Sequence, residues 1–236
     1  MAAADEDRAT LAGIWQERGS SELRVAGGFS AIAAQLIEHG GSESVLEIVA
    51  QAVRDEVRHA EISVELAARY RANEVRWPGP QPVHIPLLAP AEGRLRATLL
   101  VIAMCCINET LACAILEGQL VPAKSVLTRA ALQSVLSDEI DHARAGWAHL
   151  GSRHVTEPMK AEIARWLPRL LKAKLGELTD DDAPFPGEHL PNHGILTRRA
   201  RKEIVATGLS EVVLPGFARA GIDPALAQEW VSSAFG

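Results

Sequence analysis

Two six-residue strings constrain this chain more than anything else in it: Asp55-Glu56-Val57-Arg58-His59-Ala60 and Asp138-Glu139-Ile140-Asp141-His142-Ala143. Each is a Glu-x-x-His with Asp before it and Ala after it. Each is set in a long stretch whose apolar residues recur at helical spacing. Positions i and i+3 share one face of a helix, so the Glu and His of a string can reach a common metal ion. With 21 Glu and 8 His in 236 residues, about 0.7 such pairs arise by chance, so a single string would carry no weight. Two with the same flanks, on helices of similar length, do carry weight against the alternative of solvated charges on amphipathic faces.

The surrounding pattern predicts an all-α chain. Tyr occurs once and Phe four times, alternating Val/Ile runs are scarce, and Ala, Leu, Glu and Arg dominate at a 3.6-residue period. The first helix is predicted from about Arg8 to Glu38, with Gly19 and Gly27-Gly28 as points of loosening. His39-Gly40-Gly41-Ser42 stops it, and Ser42 or Ser44 caps a second helix running to Arg71. Asn73 to Pro90, with prolines at 78, 80, 82, 86 and 90, reads as a long extended connection. A third helix is predicted from Ala91 to Gly118, a turn at Pro122, and a fourth helix from Lys124 to His149, ended by Gly151. Short turn, long crossover, short turn is the order of a four-helix bundle with one long crossover, predicted here over residues 1–150. Residues 151–236 read as a helical C-terminal extension packed on the bundle. It comprises a helix over Glu157–Leu175, a Pro/Gly/Asp-rich loop over Gly176–Gly194, and helices over Thr197–Ala220 and Asp223–Phe235, with breaks at Pro215 and Pro224.

Charge and cysteine usage narrow the setting. A formal net charge of −6 and a pI near 5.8 argue against a nucleic-acid partner. The start, MAAADEDRAT, lacks the basic and apolar regions of a secretory signal. No uncharged apolar run reaches the roughly 20 residues that span a bilayer. The longest candidate, Ala97–Leu116, carries Asn108 and Glu109, so no membrane partner is expected. Cys105, Cys106 and Cys113 share one helix, where disulfides fit poorly; reduced thiols point to a cytoplasmic location. The absence of Cys-x-x-Cys excludes a zinc ribbon or rubredoxin-type iron site.

The hairpin geometry locates the remaining acids. In an antiparallel pair of helices, residues equidistant from the turn lie at one height. Counting back from Glu56 and His59 through Gly40-Gly41 lands near residues 22–25, where Glu22 stands. Glu17 falls a turn or more above, and Glu38 lies beside the turn. Counting back from Glu139 and His142 through residues 122–125 lands near 105–110, where Glu109 sits in the apolar run Ile107-Asn108-Glu109-Thr110-Leu111. A carboxylate there is costly unless it is paired or metal-bound. Glu117 is the weaker candidate. The candidate ligands are therefore Glu22, Glu56, His59, Glu109, Glu139 and His142. Four carboxylates and two imidazoles offset the charge of two divalent ions and suit iron or manganese.

These six positions, the doubled Asp-Glu-x-x-His and the long crossover resemble the ferritin-like diiron-carboxylate superfamily (ferritins, rubrerythrins and the oxygenases built on the same bundle) over about residues 8–150. The resemblance implies two iron ions or a mixed iron/manganese pair, with Glu56 and Glu139 as bridges and Glu22 and Glu109 as terminal ligands. It also implies that each motif's Asp bonds the opposite motif's His, Asp55 with His142 and Asp138 with His59. Departures narrow the branch. The rubredoxin module of rubrerythrins is absent, and Val135 stands where diiron N-oxygenases carry a further His. Tyr70 is three turns past His59, far from the place of a radical tyrosine. About 85 residues follow the bundle, unlike storage ferritins.

The function implied is a diiron oxygenase or oxidase that activates O2 to oxidise a small organic substrate. It would draw electrons from a separate donor and could act as a homodimer. The alternative is ferritin- or erythrin-like iron oxidation, storage or peroxide detoxification. Gly19, Ala26, Cys105, Cys106, Ala112, Cys113 and Gly146 surround the ligand positions; such small side chains leave room for substrate near Cys113 and Ala26 or serve tight helix packing. His149 reads as a residue near the site or at a helix end. His189 and His193 are a weak candidate for a further metal site. The basic run opening at Thr197 reads as a solvated face or a partner for Asp180-Asp181-Asp182.

Overall fold

Glycine and serine punctuation sets the ends of the helices. The computed structural model describes residues 5–71, 76–83, 88–175 and 185–235, and among these no strand occurs. Helix α1 runs Asp5–His39 and α2 runs Glu43–Arg71. Between them Gly40 takes a φ of +105°, a region open to glycine at little cost, and closes the turn. Expected loosening of α1 at Gly19 and Gly27-Gly28 does not occur. These glycines serve close approach instead: a Cβ on Gly19 would lie 2.9 Å from a methyl of Val64, and one on Gly28 would lie 2.4 Å from Met104 Cε.

The third helical stretch is one rod, Gly93–Leu120. It consists of α3, Gly93–Val101, a π-helical segment, Ile102–Glu109, and α4, Thr110–Leu120. Its length and composition would allow it to cross a membrane, but most of it is packed inside the protein. Helix α5, Val126–Leu150, is capped by Ser125, whose hydroxyl accepts from the Thr128 N–H. The α1–α2 pair and the rod–α5 pair pack on each other. Helix α2 lies against α5, and α3 lies against α1. Of the expected extended connection, residues 76–83 are described and are non-helical, while 72–75 and 84–87 lie outside the described residues.

Helix α6, Glu157–Leu175, tolerates Pro168 in its interior. Helix α7, Arg198–Gly208, is capped by Thr197. The break expected at Pro215 is absent. A π-helical segment, Leu209–Val213, precedes α8, Leu214–Arg219, and the Leu214 N–H bonds back to Leu209 O. The widened turn accommodates a proline that has no N–H to donate and whose ring would crowd the carbonyl four residues back. Helix α9 runs Ala225–Phe235.

Two apolar clusters organise this packing. The larger joins Phe29 of α1, Val49 of α2, Ile107 of the rod and Ala145 of α5 to Leu167 of α6, Phe217 of α8 and Val231 of α9. The smaller joins Trp15, Leu66, Leu116, Leu132 and Val135 near the other end of the same helices. Along α1, α2 and α5 the sequence passes from one cluster to the other through a short polar interval. Glu22, Glu56, His59, Glu139 and His142 fall in those intervals, and all are buried.

Candidate metal centre

Helical spacing puts Glu56 beneath His59 on α2 and Glu139 beneath His142 on α5, and α2–α5 packing turns the two pairs toward each other. His59 Nδ1 lies 3.4 Å from Glu56 Oε2 and 3.5 Å from Glu139 Oε1. His142 Nδ1 lies 3.3 Å from Glu56 Oε1 and 2.9 Å from Glu139 Oε2. Each carboxylate therefore reaches both imidazoles. Ligand atoms of Glu56, His59 and Glu139 lie within 4.8 Å of one another, a buried group that could hold a metal ion.

The outer edge of each imidazole faces an Asp of the opposite motif. His59 Nε2 is 2.8 Å from Asp138 Oδ2, and His142 Nε2 is 3.5 Å from Asp55 Oδ2. Asp138 is itself held by Arg58, which also donates to Ser134 Oγ at 2.9 Å. With Nε2 turned to a carboxylate, Nδ1 of each ring faces the centre as the donor a metal would take. Both oxygens of Glu56 and Nδ1 of His59 are buried without a hydrogen-bond partner. Unpartnered buried polar atoms are rare because each costs about 1–3 kcal/mol. Several converging on one point, hard oxygens mixed with imidazole, fit a first-row divalent metal.

Glu22 and Glu109 border this group. Glu22 accepts from Arg18 Nε at 3.0 Å, and Glu109 Oε1 accepts from Asn108 Nδ2 at 3.2 Å. Glu22 is 9% exposed and Glu109 1%. Glu17 instead pairs with Arg24 on the outside, and Glu38 and Glu117 are exposed. Burial raises the Glu22 carboxyl to about 7; Arg18 opposes the rise and the charges of Glu56 and Glu139 add to it. Burial, then Glu139 and Glu56, push Glu109 well above the usual carboxylate range.

The imidazoles are held the other way. Burial pulls His59 down, but Glu56, Glu139 and Asp138 outweigh it and raise its pKa to about 9. The same contest, won by Glu139 and Glu56, raises His142 to about 11. Glu56 is pushed up by burial and pulled further down by His142 and His59, with a net lowering. Two imidazolium charges thus occupy the electrostatic role that two cations would fill among these acids.

A cavity of about 880 Å³ meets this layer at Glu22 and Asn108 and runs between α1, the rod and α7. Ala112 lines it; Cys113 and Ala26 do not, so the space lies elsewhere than expected. Gly146 serves packing: a Cβ there would lie 2.6 Å from Cys105 Cβ and 2.9 Å from Cys106 N. Arg18 and Asn108, which bond the bordering acids, were not legible as site residues, since a single basic or amide side chain carries no spacing signature.

Three further histidines are partnered away from the centre. His149 Nε2 is 3.1 Å from Thr98 Oγ1, His189 pairs with Asp7, and His193 Nδ1 is 3.0 Å from the Tyr70 hydroxyl. Tyr70 also bonds Thr128. The three cysteines are free thiols. Asp180–Asp182 lie outside the described residues. The chain matches no protein-family model and finds no match among curated proteins or solved structures.

Proposed function

We propose that this chain is a two-metal oxidoreductase of the ferritin-like type. In this reading α1, α2, the rod and α5 form the four-helix bundle, with the long crossover between α2 and α3, and α6–α9 form its extension. Glu22, Glu56, His59, Glu109, Glu139 and His142 would hold two iron ions, or one iron and one manganese. Such a pair, when bound, supplies the redox equivalents for O2 to oxidise a small organic substrate, recharged by a separate electron donor.

Asp138 holds a proton on Nε2 of His59, which keeps Nδ1 basic and aimed inward, and Asp55 faces Nε2 of His142 at 3.5 Å from the corresponding side. Glu56 and Glu139, each within reach of both imidazoles, would hold the pair from between the two histidines. Arg18 orients Glu22 and Asn108 orients Glu109, at either side of the group. The two apolar clusters above and below keep bulk water out and raise the strength of every charge interaction between them. The cavity at Glu22 gives a substrate access.

The observation that carries this reading is the buried, unpartnered donor set of Glu56 and His59, with an Asp behind each imidazole. Its test is metal content per chain by elemental mass spectrometry after supplying iron and manganese. About two ions per chain are expected, with loss in His59→Ala and in His142→Ala. No bound metal after anaerobic Fe(II) loading would refute it. Iron turnover in a large cage, with no organic oxidation, would favour the iron-handling alternative.

A further inference from the structure

Helices α1, α4 and α7 meet at one end of the cavity. A Cβ on Gly118 of the rod would lie 2.4 Å from Ile204 Cδ1, so this end of the rod packs on α7. Beside Gly118, Gln119 Oε1 accepts from Arg18 Nη1 of α1 at 3.5 Å. Arg201 stands about one turn before Ile204 on α7, and Arg201, Arg18 and Gln119 all line the cavity. Both guanidinium groups therefore reach the cavity near the height of Gln119. Lys174 belongs to the other end, at the sulfur of Met104, about 20 Å away along the rod.

The other cations of the cavity have partners. Arg24 pairs with Glu17 at 2.8 Å and Arg18 with Glu22 at 3.0 Å. Arg198 is partnered as well, and Lys174 feels the charge of Glu109. Arg201 differs. Among the described residues no carboxylate pairs with it, and its Nε is buried without a hydrogen-bond partner. Its neighbours are the Phe185 ring, at 5.9 Å, and Arg18; burial and then the like charge of Arg18 lower its pKa. A desolvated guanidinium beside a second cation is unfavourable unless an anion lies against it. A ring near the outer limit of a cation–ring contact offsets only part of that. From Gln119 the rod presents Ile115, Leu111 and Asn108 to the cavity at helical spacing. An apolar strip thus leads from the arginines toward Glu22 and the centre, in a space of about 880 Å³.

We propose that this cavity binds an organic carboxylate, its acid group on Arg201 beside Arg18 and its apolar body along Ile115 and Leu111 toward Glu22. Arg201 offers the head a planar fork of N–H groups. Arg18, whose Nε serves Glu22, adds its charge. Binding stands on the cavity and Arg201; that the carboxylate is the substrate rests on the oxidoreductase reading above.

The test is calorimetric titration of the full chain with octanoate and, separately, with octan-1-ol. Saturable octanoate binding is expected, with octan-1-ol weaker by about tenfold or more. Arg201→Met should weaken octanoate by about tenfold or more and leave octan-1-ol unchanged, and Arg201→Lys should restore part of the loss. Lys174→Met, at the other end, and Arg199→Gln, an exposed cation on α7 outside the cavity, should change neither. Thermal unfolding gives a second readout. Relieved of an unmatched charge, ligand-free Arg201→Met should melt no lower than the wild type, and octanoate should raise the Tm of the wild type alone. Equal binding of acid and alcohol, octanoate affinity retained in Arg201→Met or lost in Lys174→Met, a ligand-free Arg201→Met that melts well below the wild type, or no saturable octanoate binding at millimolar concentration would overturn the proposal. Metal content measured on the same samples separates the two readings. About two ions per chain without octanoate binding refutes the carboxylate site alone; octanoate binding without metal refutes the two-metal centre alone.

Discussion

Glu22 and His59 differ in chemistry but share an outcome: each holds a proton in the metal-free protein, Glu22 because burial disfavours its charge and His59 because the acids around it outweigh burial. Glu22 is raised to about 7, His59 to about 9 and His142 to about 11. All three folded values lie above the unfolded ones, about 4.5 for Glu and 6.5 for His. The stabilisation is therefore complete below the unfolded value and is lost as pH rises through the folded value. Between about pH 5 and about pH 6.5 the loss through Glu22 is offset by His149, whose pKa burial lowers to about 4; from about pH 6.5 to about pH 9 metal-free protein should lose stability through His59 and His142, at about 1.4 kcal/mol per pH unit for each titrating group. Metal-loaded protein should show the opposite trend in metal affinity, because binding must expel these protons. Thermal unfolding with and without metal across this range checks both; a metal-free profile that rises with pH would sink the assignment. At this scale the sequence is informative where spacing is repeated. Glu56, His59, Glu139 and His142 announce themselves as pairs, and counting through the turns reaches the buried acids Glu22 and Glu109. Arg18 and Asn108 stay hidden because the carboxylates they bond, Glu22 and Glu109, are fixed only once the helices pack.

Among the elements, the helices were readable to within a few residues, and their irregularities were not. The π-helical segments Ile102–Glu109 and Leu209–Val213 depend on which carbonyl each N–H finds. Ile102–Ile107 is apolar on every side and gives no periodic signal of that choice, and the five residues of Leu209–Val213 are too few to show one. Glycines were ambiguous for the same reason, since a helix-loosening glycine and a close-packing one look alike until the neighbour is known. The difference is measurable. Gly146→Ala should destabilise by about 1–3 kcal/mol, because the new methyl meets the Cys106 backbone N at 2.9 Å, which cannot yield. Gly13→Ala, with nothing within 4 Å, should stabilise by about 0.5–1 kcal/mol through the helix preference for Ala. Denaturant unfolding of the two variants should therefore show shifts of opposite sign, and a stabilised Gly146→Ala would show that α5 and the rod are not in contact there.

Across the whole molecule, the larger cluster ties the C-terminal helices to the first four. Leu167 and Leu171 of α6 and Phe217 of α8 are buried in the same cluster as Phe29 and Ile107, and the Trp147 ring lies 5.3 Å from Phe217. Each such side chain contributes about 1.5–3 kcal/mol when fully buried, and the net stability of a domain is only about 5–15 kcal/mol. Removing residues 151–236 should therefore abolish cooperative folding of the remainder, and the intact chain should unfold in a single transition. Tryptophan fluorescence and circular dichroism should give coincident curves; a fragment 1–150 that melts cooperatively would overturn this. The sequence suggested a boundary near residue 150 because the fourth helix ends there at Gly151 and completes the bundle pattern. Helical periodicity states which face of α6 is apolar but not what covers it, so the shared core was beyond its reach.

The crossed Asp–His contacts have a consequence for how the centre comes into being. The imidazole on α2 is oriented by an acid from α5, and the imidazole on α5 faces an acid from α2. Neither hairpin carries a finished half-site; each holds its partner's missing piece. A metal ion arriving early finds ligands whose rings are free to turn, and one arriving after docking finds them fixed. Since binding favours whichever state it fits, a metal taken up here would act as a proofreader of assembly, rewarding only chains whose two hairpins have met in register.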